Sequence, residues 1–405
     1  MTSKIYKSLP LLAALGLGIT MMGCDDKGLT PPDFPAEEEQ PSDSSFYFGA
    51  DLSNVNNILD HDGTYQEDGV TNPYQIFADH GSNLVRLRIW HNPTWTEEAY
   101  GTEGNQMYND LYDVEKSISE AKAQGMNVLL DFHYGDSWAD PGKQPIPAAW
   151  ADITDIDVLA DSVYNYTYQT LTYLSGKGLI PEMVQIGNET NCGMLFTDAA
   201  SGFPSGNACD DGSWVNLGKI MNAGIEATRE VENEAGLAIK IAVHVADPKN
   251  INSFTNSIIN TAGVTDFDII GFSYYPLWHT TVALDDLSNV ISNARDVYNK
   301  EIMMVETAYP WTTDYDDVYN NSFGSETAVD GYPYSETGQY DLLVKLTQEV
   351  KDGGGIGIIY WEPAWISSNM KDLWGTGSSW ENAALFDFDG NPVRGMTYME
   401  ASYQE

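Results

Sequence analysis

Eight short apolar, β-branched runs, each followed by a polar loop and a helical pattern, set the tightest limit on what this chain can fold into. They read "FYFGADLS" (46–53), "LVRLRIW" (84–90), "NVLLDFHY" (127–134), "MVQIGNE" (183–189), "IKIAVHV" (239–245), "FDIIGFSYYP" (267–276), "EIMMVETAY" (301–309) and "GIGIIYWEP" (355–363). Between them lie segments such as 113–125, where Val114, Ile118 and Ala121 fall at helical spacing and Gly125 supplies a stop. Continuous apolar strands alternating with helices point to a parallel sheet, because such strands bury both of their faces. Eight units predict a closed (β/α)8 barrel of the α/β class rather than an open doubly wound sheet. No "GxGxxG" follows the first run, so a dinucleotide fold has no support. One barrel domain over 46–405 is expected.

Polar residues gather at one end of these runs. The second closes on Arg88, Trp90, His91 and Asn92, and the third on Asp131, His133, Tyr134, Asp136 and Trp138. The fourth ends in Asn188 and Glu189, and the fifth carries His244 and then Asp247. Tyr274 and Tyr275 end the sixth, Glu306, Thr307 and Tyr309 the seventh, Trp361 and Glu362 the eighth. In a (β/α)8 barrel the C-terminal strand ends form one mouth, where active sites lie. Glu189 and Glu306 would face one another across it. Cleaving a glycosidic bond takes two such carboxyl groups, one to protonate the leaving oxygen and one to attack C1 or activate water. A separation of about 5 Å gives retention and a longer one inversion. A close pair also splits its pKa values, which keeps one member protonated while the other is ionised.

Other residues take roles around this pair. Asn188 suits a hydrogen bond to a sugar 2-hydroxyl, Arg88 would hold Glu306 ionised, and Tyr275 would orient the same carboxylate. Trp361 would form a floor for the ring, with Trp90, His133, Asp136 and Trp138 as further candidate substrate contacts. Singly, each has a plainer reading. A strand-end Glu can be a solvated rim residue, Arg88 a barrel-plugging ion pair, and His133 or His244 a satisfied core histidine. A zinc site of His91, His133 and His244 lacks "HExxH" or similar spacing, and no "GxSxG" supports serine hydrolysis.

The formal charge of −41, from 60 acids against 19 Lys and Arg, argues against nucleic acid and anionic membrane surfaces as partners. An aromatic share of 12% suits a neutral polysaccharide. At the N-terminus, Lys4 and Lys7 precede "LPLLAALGLGITMM", too short to span a bilayer with these flanks and readable as an export signal over 1–23. The run ends in Gly23–Cys24, which resembles a lipoprotein signal with Cys24 as the acylated residue; an ordinary cleaved signal is the alternative. Residues 24–45 form an acidic, Pro- and Ser-rich tether. Acids directly after the cysteine resemble surface-export signals of some Gram-negative lipoproteins, so an exported protein anchored to outer-membrane lipid and facing outward is expected. Cys192 and Cys209 remain as a candidate disulfide in an oxidising compartment, free buried thiols being the alternative.

Several stretches carry a family resemblance. "LRIWHNP", "GMNVLLDFHYGDSWADPGKQPIPAAW", "VQIGNE", "DIIGFSYYP", "VETAY", "GIIYWEPAW" and "ALFDFDGNP" closely resemble glycoside hydrolase family 53, the endo-β-1,4-galactanases, over about residues 47 to 394. "DFHYGDSWADPGKQ" is specific to that family, whereas "GNE" marks only the wider clan. The resemblance implies a (β/α)8 fold and retaining cleavage of β-1,4-galactan or arabinogalactan, with Glu189 as acid/base, Glu306 as nucleophile and no catalytic cofactor. Some members bind calcium after strand seven. Here Asp314, Asp316 and Asn320 alternate in that loop, with Val318 where calcium-binding relatives have His; a solvated acidic turn is the alternative. Rival readings are another β-glycanase of the clan, a mannanase or glucanase, and a surface lipoprotein that captures glycan without cutting it. A monomer is the default expectation.

Overall fold

The computed structural model describes residues 46–404; the signal-like run, Cys24 and the tether lie outside the described residues. Eight strands form one closed, wholly parallel barrel, in chain order around the ring: β1 (Tyr47–Asp51), β2 (Leu84–Ile89), β3 (Asn127–Phe132), β4 (Met183–Ile186), β5 (Lys240–Ala246), β6 (Ile269–Ser273), β7 (Glu301–Thr307) and β8 (Gly357–Tyr360). β1 closes the ring against β8, pairing Tyr47 with Gly357 and Ala50 with Tyr360. This is the barrel that the alternating pattern predicts.

Helices cover the outside, and their ends follow local chemistry. Asp110 caps the helix Leu111–Ala123 by accepting the Asp113 N–H, and Ser335 does the same for Glu336–Asp352 through the Gly338 N–H. Val114, Ile118 and Ala121 are buried on one face of the first of these helices, as their spacing requires. The helix Trp214–Ala235 stops at Gly236, whose φ of 65° favours a residue without Cβ.

Strand alternation sorts the core into two bodies. Outward side chains, among them Val85, Leu87, Leu130 and Val243, pack against the helices. Inward ones, Leu84, Leu129, Met183, Ala242, Ile269, Met303, Val305 and Ile359, fill the bottom of the barrel as a separate apolar plug. Continuing up the same inward face, β2 presents Arg86 and then Arg88, β3 Asp131, β4 Gln185 and β5 His244, all buried. A polar layer thus sits directly on the plug, and buried polar groups of this kind must find partners among themselves.

β7 breaks the alternation. Against β6 its register jumps from Phe272↔Met304 to Ser273↔Glu306, and against β8 from Met304↔Ile358 to Thr307↔Tyr360. One extra residue in β7 lets Glu306 point into the mouth although Val305, beside it, already belongs to the inward plug.

Candidate active site

Glu306 is almost wholly buried, and its carboxylate is held at both oxygens. Arg86 Nη1 donates to Oε1 at 2.8 Å, and the Tyr275 hydroxyl donates to Oε2 at 2.9 Å. Arg86 spends all five of its N–H groups in this layer. Besides Glu306 it donates to Asp51 at 3.1 Å, Asp131 at 2.7 Å, Asn188 Oδ1 at 2.8 Å and Gln185 Oε1 at 3.3 Å. The sequence-based assignment of Arg88 to Glu306 is corrected here. Arg88 pairs instead with Glu362 at 3.1 Å and Asn54 at 2.9 Å, and its guanidinium lies 3.9 Å from the centre of the Trp138 ring. Both arginines face inward, since they are two residues apart, but Arg86 stands one pleat lower and is the one that reaches Glu306.

Glu189 follows β4 on a turn that starts at Gly187, with φ of 81°, and Glu189 itself has φ of 46°. A non-glycine residue in the left-handed region is strained, and such strain collects at functional sites. The turn swings the carboxyl across the mouth, where the Ser273 hydroxyl donates to Oε1 at 2.6 Å. One oxygen of Glu189 and one of Glu306 lie within 4.8 Å of each other. Burial pushes the Glu189 carboxyl up to about 8, with the Glu306 charge adding to the rise. Burial raises Glu306 as well, but Arg86 and the Tyr275 hydroxyl oppose it. The partners are unequal, so Glu306 is the anion and Glu189 keeps the proton.

Most of the sequence-nominated residues meet in one cleft of about 620 Å³ at the C-terminal strand ends: Glu189, Glu306, Asn188, Arg88, His133, Trp138, Tyr275 and Trp361 line it, as does Asn320. Asn188 gives one Nδ2 hydrogen to the Ala139 carbonyl at 2.8 Å, leaving the other for a ligand. His133 donates from Nε2 to Asp131, because the Ala139 N–H occupies its Nδ1. Two nominees lie elsewhere. Trp90 is buried beneath the cleft against Trp138, ring centres 5.3 Å apart. Asp136 accepts the N–H groups of Asn92 and Ala148, tying the loop after β3 to the end of β2. Neither touches the cleft. His91, His133 and His244 form no common metal-binding group among the described residues. Asp314 and Asp316 are exposed and join no cluster of three acidic or imidazole groups there.

Sequence reasoning missed Arg86, Ser273 and a set of indoles on the walls, Trp278, Trp365, Trp374 and Trp380. Ser273 carries a visible signal, as the polar residue that closes β6 two positions before Tyr275. The indoles come from loops, where no periodicity speaks.

Comparison with known proteins decides the family. The pattern of "Glycosyl hydrolase family 53" matches residues 47–399. The chain belongs to that family. This family 53 chain is 42% identical over 364 residues to the arabinogalactan endo-beta-1,4-galactanase of Cellvibrio japonicus, covering 89% of itself and 92% of that protein. With the endo-beta-1,4-galactanase of Bacillus subtilis it shares 31% over 405 residues, covering 90% of itself and 88% of the relative. Among solved structures, the GH53 catalytic domain of Ignisphaera aggregans superposes with a TM-score of 0.77 at 35% identity, covering 89% of this chain and 97% of that one. Several of the family-like stretches quoted above reach the mouth: they supply Arg88, His133, Trp138, Asn188, Glu189, Tyr275, Glu306, Trp361 and Trp365 to its lining.

One wall of this family 53 site is pinned covalently. Cys192 and Cys209 are joined, closing the loop after β4 across 17 residues, and the Ala208 N–H bonds to the Cys192 carbonyl at 2.8 Å. The same loop meets the one after β3, where Gln144 donates to the Asn188 carbonyl at 2.8 Å. Loop-closure entropy for a bridge of this span is worth about 3 kcal/mol. The double variant Cys192→Ser, Cys209→Ser should lose about that much in denaturant unfolding, and an unchanged midpoint would show that the bridge does not restrain the unfolded chain.

Proposed function

We propose that the protein is an endo-acting hydrolase of β-1,4-linked galactan, including type I arabinogalactan, and that it retains anomeric configuration by double displacement. The observation that carries the mechanism is the carboxylate pair: oxygens within 4.8 Å, an ion-paired Glu306 and a protonated Glu189. Inverting enzymes hold their pair about 6.5–9.5 Å apart to admit water. Glu306 attacks C1 while Glu189 protonates the leaving oxygen; Glu189 then takes a proton from water, whose oxygen displaces Glu306. The free Nδ2 hydrogen of Asn188 reaches toward the sugar 2-hydroxyl, and Trp361 and Trp138 offer apolar faces to the rings. Galactan as substrate is supported by the names of relatives at 42% and 31% identity and by "DFHYGDSWADPGKQ". Pure glycan capture has no use for an acid and an anion held this close.

Incubation with β-1,4-galactan should release oligosaccharides whose first-formed reducing end is the β anomer by NMR, while mannan and β-glucan stay intact. No galactan cleavage, or an α anomer first, sinks the reading. The rate should be bell-shaped in pH: kcat/KM rises as Glu306 loses its proton and falls as Glu189 loses its own, near pH 8.

A bound calcium has weaker support. Oxygen donors suit it, but Asp314, Asp316 and Asn320 are exposed, and their side chains make no hydrogen bond or ion pair among the described residues. Asp317 next to them spends its carboxylate on the N–H groups of Tyr319 and Ser378. Chelator tests the site: a fall in Tm that calcium restores, and that Asp314→Ala abolishes, supports a bound ion, and an unchanged Tm removes it.

The export-like run, Gly23–Cys24 and the acidic tether support a lipid-anchored protein on the outer face of the outer membrane. No helix among the described residues is long and apolar enough to cross a membrane. Labelling with radioactive palmitate should vanish in Cys24→Ala, and protease shaving of intact cells that spares the protein would remove the outward orientation.

A further inference from the structure

Between the two carboxylates sits a third oxygen. Ser273 Oγ, fully buried at the end of β6, lies 2.6 Å from Glu189 Oε1 and 3.4 Å from Glu306 Oε2. Its remaining neighbour is His244 Nε2, at 2.8 Å. That imidazole is also fully buried, and burial together with the nearby Arg86 guanidinium keeps it neutral. Nδ1 faces two donors, the Glu189 backbone N–H at 3.2 Å and Gln185 Nε2 at 3.1 Å. The Asn188 Oδ1 beside it, at 3.0 Å, already accepts from Arg86. Nδ1 is therefore the acceptor, and the ring hydrogen is on Nε2.

This gives the chain of donors one direction. His244 Nε2–H donates to Ser273 Oγ, and the serine, with a lone pair so engaged, donates its single hydrogen to Glu189 Oε1. An oxygen that accepts from Ser273 is the carbonyl oxygen of a protonated carboxyl. Glu189 Oε2 has no partner among the described residues and belongs to the half-exposed side chain that lines the cleft.

We propose that Ser273, held by His244, is a positioning residue that confines the Glu189 proton to Oε2, the oxygen facing the sugar, and then stabilises the carboxylate left when that proton departs. In the first half-reaction an Oε of Glu306 bonds to C1, the C1–O glycosidic bond breaks, and its electron pair on the leaving oxygen takes the Oε2 proton. In the second, Glu189 accepts a proton from water, the water oxygen bonds to C1, and the ester electrons return to Glu306. Ser273 serves both steps without moving, because Oε1 accepts its hydrogen in either protonation state. The groups facing Glu189 are Glu306 from β7, Asp140 after β3, Arg86 from β2, and Ser273 and Tyr275 from the β6 end, with His244 behind the serine.

A hydrogen bond from Ser273 favours ionised Glu189, so losing it raises that carboxyl further and keeps it protonated to higher pH. In Ser273→Ala the alkaline limb of kcat/KM on galactan should move up by about one pH unit while kcat falls about tenfold, the equivalent of one charge-assisted hydrogen bond. Ser273→Thr, which keeps the hydroxyl, should hold the native limb. An alkaline limb that stays put in the alanine variant, or shifts as far in the threonine variant, would overturn the proposal. It rests on Glu189 being the acid, and that reading fails separately if Glu189→Gln cleaves galactan at the wild-type rate.

Discussion

Glu306→Gln should lower kcat on β-1,4-galactan by on the order of 10⁴-fold or more, with folding intact. The amide has nearly the shape of the carboxylate, and its Oε1 can still accept from Arg86 Nη1, which now donates at 2.8 Å. What disappears is the proposed nucleophile. Stability should hold, because a charge that Asp131 and Asp51 repel has been removed from a buried layer. Glu189 offers a second readout. Burial is the first cause of its raised value and the Glu306 charge the second, so Glu189 in the variant should titrate lower than its native value of about 8. Carboxyl-carbon NMR of labelled protein can follow that shift. Cleavage by the variant at the wild-type rate would end the double-displacement account. An unshifted Glu189 would instead refute the electrostatic coupling.

Arg86→Ala should damage both folding and catalysis. One guanidinium in a fully buried layer holds Asp51, Asp131 and Glu306 at 3.1, 2.7 and 2.8 Å. Its removal leaves carboxylates without a counter-charge, a change that costs about 3–5 kcal/mol. The pH dependence should also invert. In the native protein burial pushes Asp131 up, yet Arg86 and His133 together hold it below its ordinary value. Its stabilising contribution is therefore complete above the ordinary carboxylate range and is lost as pH falls through the lower folded value. Without Arg86 only the burial effect stays dominant, the folded carboxyls titrate above their unfolded values, and the variant should gain stability on acidification. Urea unfolding of both proteins across the acid range measures this. A native-like acid profile in Arg86→Ala would show that the layer is not held by that ion pair. Arg86→Lys should recover only part of the loss, since an ammonium has three donors for a site that uses five.

The sequence showed the active site more clearly than it showed the site's supports. Glu189, Glu306, Asn188, Tyr275 and Trp361 were readable because each ends an apolar run, and strand ends of a parallel barrel must open on one mouth. Trp90 and Asp136 met the same criterion and still lie outside the cleft, since a strand end places a residue near the mouth without setting where its side chain turns. Arg86 escaped notice because it sits inside a strand, where an isolated polar residue reads as an exception to burial. The wall indoles Trp278, Trp365, Trp374 and Trp380 sit on loops that carry no period at all.

The sequence by itself determined the barrel, the position of its mouth and the pair of glutamates set across it. These follow from the continuous apolar strands, the helical spacing between them and the order of polar strand ends, all local properties. Tertiary structure alone decided which arginine reaches Glu306. Alternation tells which face a side chain shares but not how high it stands in the barrel, and that height is set by register with neighbouring strands. It also decided that Glu306 points inward at all. Strict alternation from Met303 and Val305 would turn it out toward the helices, and only the extra residue in β7, visible in pairing with β6 and β8, brings it into the mouth.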